Sequence, residues 1–137
     1  MFVSRNPIAA YATVGVETSV ESASPHKLIL LLFEGAKAAI LAAKLQMSNG
    51  EIAAKGASIS KAIDIINNGL KASLDLEAGG SLAVQLQALY EYMSDRLLFA
   101  NLKNEPAALD EVLGLLAQIH SAWEEIGDRP ETAPAAR

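Results

Sequence analysis

The side chains able to do chemistry are few and scattered along the chain. There are two histidines, His26 and His120, and no cysteine, which excludes thiol catalysis, disulfide staples and thiolate metal sites. A carboxylate-bridged metal centre in a helical bundle needs Glu-x-x-His pairs on facing helices, and no Glu stands three residues before either histidine. Both therefore read as structural residues, His26 exposed on a first helical turn and His120 at a boundary beside Ile119. Glu34, Asp64, Glu77, Glu91 and Asp95 lack an obvious paired acid and read as solvated charge. Ser24 and Ser81 have no His-Asp arrangement to activate a hydroxyl. The Gly79-Gly80 pair before Ser81 could turn N–H groups toward an anion, but it follows no strand and lacks the Lys-Ser or Lys-Thr of a phosphate loop, so it reads as an interhelical turn. No catalytic residue, metal or cofactor is expected, and the chain does not read as an enzyme.

The elements that would hold these residues follow from composition. A chain of 137 residues suits one domain. Half of it is apolar but only 5% is aromatic, and the apolar set is mostly Ala, Leu and Ile, which favours a helix bundle. A net charge of −5 with scattered Lys and Arg offers no basic patch for phosphates, so nucleic acid is not an expected partner. No basic segment precedes a long apolar run, and the most apolar stretch, Leu28 to Phe33, is followed by Glu34 and Lys37. Neither secretion nor membrane insertion is expected, and the cytoplasm is the expected location.

Residues 1–23 mix Pro7 with β-branched residues such as Thr13, Val14, Val16 and Val20 and keep no period; they read as an N-terminal arm. Ser24 as a cap and Pro25 at the first helical position predict the start of helix 1. Its stripe of Ile29, Phe33, Ala36, Ile40, Ala43 and Met47 should end at Asn49-Gly50. Helix 2 is expected from Glu51 to Leu74, where Ile52, Gly56, Ile59, Ile63, Ile66 and Leu70 form a coiled-coil-like seam. An adjoining stripe of Ser58, Ala62, Ile65, Gly69 and Ala72 is mostly small. It suits either tight packing within the bundle or a groove for a partner helix.

Asp75 to Gly80 reads as a loop, with Ser81 capping helix 3. That helix carries Leu82, Leu86, Leu89, Met93, Leu97 and Ala100 on one face, with Tyr90, Leu98, Phe99 and Leu102 pointing elsewhere. Asn104, Glu105 and Pro106 form the next boundary, and Leu109, Val112, Leu116, Ile119 and Trp123 give helix 4 its stripe. Residues 127–137, rich in Pro and Ala, read as a disordered tail. The expected fold is all-α: an antiparallel up-down four-helix bundle over residues 24–126, with the arm docked on it.

Two features exceed what a purely structural bundle needs. Ile8, Tyr11, Val14 and Val16 are apolar residues in an irregular arm, which must dock to be buried, and helix 3 has apolar residues off its main seam, as partner sites do. Several stretches are also similar to a known family: Ser22–Ile29 (SASPHKLI), Leu32–Ala36 (LFEGA), Lys61–Ile66 (KAIDII), Gly69–Asp75 (GLKASLD), Leu89–Met93 (LYEYM), Ala100–Asn104 (ANLKN) and Ala122–Ile126 (AWEEI). Together with Ala10-Tyr11 and Lys55-Gly56, they resemble the flagellar secretion chaperone family FliS over nearly the whole chain.

The resemblance implies a cytosolic chaperone that binds the disordered C-terminal segment of flagellin, prevents its premature polymerisation and presents it to the flagellar type III export gate. On that reading the partner-binding residues are Ile8, Tyr11 and Val14 in the arm, Ile65, Gly69 and Ala72 on helix 2, and Tyr90, Leu97 and Leu98 on helix 3. For the helix residues, core packing is an equally good account. The other class of function open to the sequence is a structural or signalling bundle that self-associates through helices 2 and 3. Tyr11→Ala is expected to lower client affinity more than thermal stability; matched losses in titration and melting would mark Tyr11 as a core residue.

Overall fold

The structure is a computed structural model that describes residues 24–127. The expected arm at residues 1–23, and all of the expected tail after Gly127, lie outside the described residues. Within them the chain forms four helices and no strand: α1, Pro25–Ser48; α2, Ile52–Asp64, which runs on directly as a π-helical segment, Ile65–Lys71; α3, Leu76–Lys103; and α4, Pro106–Ile126. The expected all-α four-helix bundle is the fold observed.

Cross-helix bonds show the antiparallel order. Trp123 Nε1 donates to His26 O at 3.1 Å, and Lys44 pairs with Asp110 at 2.7 Å, so α4 runs back along α1. Lys55 reaches Asn101 while Asn67 meets Ser94, so α3 runs back along α2.

Helix 1 starts as its sequence predicts. Ser24 Oγ accepts from Lys27 N at 3.1 Å, with Pro25 at the first helical position, which satisfies one otherwise orphaned N–H. The predicted stripe Ile29, Phe33, Ala36, Ile40, Ala43 and Met47 is buried throughout. Phe33 and Ile40 meet Ile59 and Ile66 of the second helical stretch, Met93 and Leu97 of α3, and Leu109, Val112 and Leu116 of α4 in one core.

Three expectations need correction. Helix 2 is not α-helical to Leu74: at Ile65 it widens into π turns, whose i→i+5 bonds fit one more residue into each turn. That turns both stripes inward together, burying Ile65 with Ile66 and Gly69 with Leu70. Gly35 of α1 faces this segment, and a Cβ there would stand 3.5 Å from Ile65 Cδ1, an ordinary contact distance.

The second correction is at Asp75–Gly80, which is a helical turn followed by a kink rather than a loop. Asp75 Oδ1 accepts from Glu77 N and Ala78 N at 3.1 and 3.0 Å, so Asp75 caps the segment's start. Gly80 then breaks the helix with φ 59° and ψ −139°. Beyond the kink Ala83 is buried and Leu82, expected inside, is exposed.

Third, His26 is not exposed. It is 7% accessible because the Trp123 ring lies over it at 4.8 Å. His120 is equally buried, stacked on Phe33 at 5.4 Å, with Lys37 Nζ 3.2 Å from its Nδ1.

Two glycines separate strain from space. A Cβ at Gly80 would meet nothing within 4 Å, but its φ lies in the region L side chains avoid; Gly80→Ala should therefore cost about 1–3 kcal/mol. Gly114, inside α4 and equally open, should gain about 0.5–1 kcal/mol on replacement by Ala. Denaturant midpoints at unchanged slope measure both.

Candidate functional site

Polar side chains in this bundle tie helices together rather than converge on a reacting atom. Among the described residues no three His, Asp or Glu side chains are placed to hold a metal ion. On the outer face, the Tyr92 hydroxyl donates to Glu111 Oε2, Arg96 Nε donates to Glu111 Oε1 at 2.7 Å, and the guanidinium lies 4.7 Å over the Phe99 ring. The bond from Tyr92, then that from Arg96, holds the Glu111 carboxyl below its ordinary range, and the same Tyr92 bond pushes the phenol up. This cluster joins α3 to α4 at the surface.

The contact between α2 and α3 is built differently. Lys55 is 3% exposed, yet its Nζ donates to Asn101 O at 3.0 Å and to Asn104 Oδ1 at 2.8 Å. Asn104 ends α3 in the left-handed conformation, so the ammonium sits where the last carbonyls carry the negative end of the helix dipole. Farther along, buried Ser94 donates through Oγ to Asn67 Oδ1 at 2.8 Å, and Lys71 pairs with Glu91 at 3.5 Å. Between the two hydrogen-bonded ties, Gly56, Ser60, Ile63 and Asn67 share one face of the second helical stretch by their three- and four-residue steps. Leu98 faces them, placed between Ser94 and Asn101 on α3, and it is 56% exposed; Leu102, one turn on, is 80% exposed. The result is a shallow groove between two packed helices, with a polar tie at each end and Ile63 and Leu98 as its apolar residues.

The residues expected to bind a partner fall into three groups. Ile8, Tyr11 and Val14 lie outside the described residues. Ile65, Gly69, Tyr90 and Leu97 are buried, Ile65, Tyr90 and Leu97 within the central core, so in the bundle as it stands they present no surface. Burial pushes the Tyr90 hydroxyl well above the usual phenol range. Leu98 and Ala72 are exposed; Leu98 lies in the groove, while Ala72 stands past its far tie. Sequence reasoning missed Lys55, Asn67 and Ser94. Lys55 could have been found from its position one turn before Ile59 in the buried phase of α2. Nothing in the sequence pointed to the Asn67–Ser94 pair.

No helix among the described residues is long and apolar enough to cross a membrane. The sequence model of the family described as flagellar protein FliS matches residues 7–130. The chain belongs to the FliS family. It is 53% identical over 122 residues to the flagellar secretion chaperone FliS of Salmonella typhimurium, covering 89% of this chain and 90% of that one. The FliS of Escherichia coli is 48% identical, covering 85% of each chain. That of Bacillus subtilis is 31% identical over 88% of this chain and 86% of its own. Membership in the FliS family makes this chain a flagellar export chaperone, and not an enzyme.

The Glu111 cluster gives a pH test with a definite sign. A carboxyl held low in the folded state adds stability above the ordinary carboxylate range, and that stability is lost as the pH falls through the folded-state value. Glu111→Gln should therefore lose less stability on acidification than the parent protein, measured by denaturant unfolding at neutral and acid pH.

Proposed function

We propose that this chaperone binds the disordered C-terminal segment of flagellin in the cytoplasm, keeps it from polymerising early and presents it to the flagellar type III export gate. The observation that supports the reading is the pair of exposed leucines, Leu98 and Leu102, on the α3 side of the α2–α3 groove, in a chain of the FliS family. An amphipathic client segment fits such a surface by laying its apolar stripe into the groove, with anchors at helical spacing. Binding is stoichiometric and needs no cofactor.

The arm, with Ile8, Tyr11 and Val14, competes for the same apolar surface. If its docking is worth about 1–3 kcal/mol, it lowers client affinity roughly 5- to 150-fold, keeping the groove covered yet available. Calorimetric titration with the C-terminal flagellin segment at two temperatures tests the assignment. One-to-one binding with a negative heat-capacity change is the expected result. Absence of binding, both by the full chain and by a variant lacking residues 1–16, would overturn it.

A further inference from the structure

The polar ties at the ends of the groove are not the cheapest way to pack two helices. A buried ammonium loses its hydration, a cost that its hydrogen bonds must offset. The two acceptors of Lys55 are a backbone carbonyl and the Asn104 amide oxygen, neither of them charged. The Ser94–Asn67 pair is likewise a directional bond set into an apolar contact, where removing both partners costs little stability. What such bonds supply, and apolar packing does not, is a fixed distance between two backbones.

That distance matters most where packing does not already set it. The α-helical part of α2 touches α3 more thinly than the shorter π segment does, and Lys55 is the tie that spans this thin stretch. Asn67 stands on the π segment itself, whose widened turns are also anchored locally by the bond from Ser73 Oγ to Leu70 O at 2.9 Å. The groove between the ties is therefore held at one end by a cation on the terminus of α3 and at the other by the register of the π turns.

We propose that Lys55 and the Asn67–Ser94 pair are positioning residues that hold the α2–α3 groove at the width a client helix needs. The inference rests on the function proposed above and goes beyond it by naming residues that do not face the client. Losing either tie leaves the bundle folded but lets α2 and α3 vary in separation, so the client must order the groove as it binds.

Lys55→Met, and separately the double variant Asn67→Leu with Ser94→Ala that removes both partners of the bond, made in the full chain, test this. Because the natural sequence has no cysteine, spin labels at Lys61→Cys and Asp95→Cys, both exposed positions, read the α2–α3 separation without background. Affinity for the C-terminal flagellin segment is measured on unlabelled protein, alongside Tm. The expected result is a broader label distance, a nearly unchanged Tm and an affinity about five-fold weaker. An unchanged distance distribution in both variants, an unchanged affinity despite broadening, or an affinity loss that tracks Tm would overturn the inference. If the parent chain itself fails to bind the segment, the functional reading falls and this inference with it; if the parent binds and the variants match it, the inference alone falls.

Discussion

Small residues along α1 decide how near the other helices can come. Ala36, Ala39 and Ala43 are buried between the larger Phe33, Ile40 and Met47, so α1 presents a face with shallow positions at regular intervals. The second helical stretch lies against that face, and Gly35 continues the shallow surface to where Ile65 packs. Close approach lets ridges of one helix fill hollows of the other. It also requires the stretch facing α1 to turn more apolar bulk inward than a regular α-helix of this sequence would. The π turns at Ile65–Lys71 meet that demand, burying adjacent residues in pairs. The position of α3, and with it the groove, follows from where those turns leave Asn67 and Lys71.

The helices were legible in the sequence wherever one apolar phase dominates. The start of α1 could be read from Ser24 and Pro25, its buried face from period alone, and α4 from Pro106 and the Leu109–Val112–Leu116 spacing, because each signal is local. The π segment was not legible. Its residues offer two competing stripes, one through Ile66 and Leu70 and one through Ile65 and Gly69, and period analysis with a fixed α-helical turn must assign one of them to the outside. Asp75 was passed over as a cap because the two glycines after it dominate the local signal. His26 and His120 depended on what lies across from them, Trp123 and Phe33, and facing residues far apart in sequence leave no local trace.

The candidate site was legible in part, for a related reason. Leu98 could be recognised because it breaks the apolar pattern of its own helix, and an exception is visible in one dimension. Tyr90 stands off the same seam in the sequence and Leu97 on it, yet both are buried, because the face that α3 turns to the core is wider than its one-dimensional stripe. Lys55 was the hardest case. A lysine in the buried phase of a helix looks like an interruption until the end of α3 is placed beside it, where two oxygens accept from it and the helix dipole favours its charge.

The bond from Trp123 to His26 O brings the first and last described turns of the bundle together at one pole, while Lys55 and Asn104 meet at the other. Any segment continuing from Ser24 is thus tethered at the pole opposite Lys55. Its local concentration at the bundle surface is set by tether length and reach, independent of how much protein is present. A free client has no such advantage and competes by mass action. A surface shared by the two would be divided according to the free client concentration weighed against the fixed local concentration of the tethered segment.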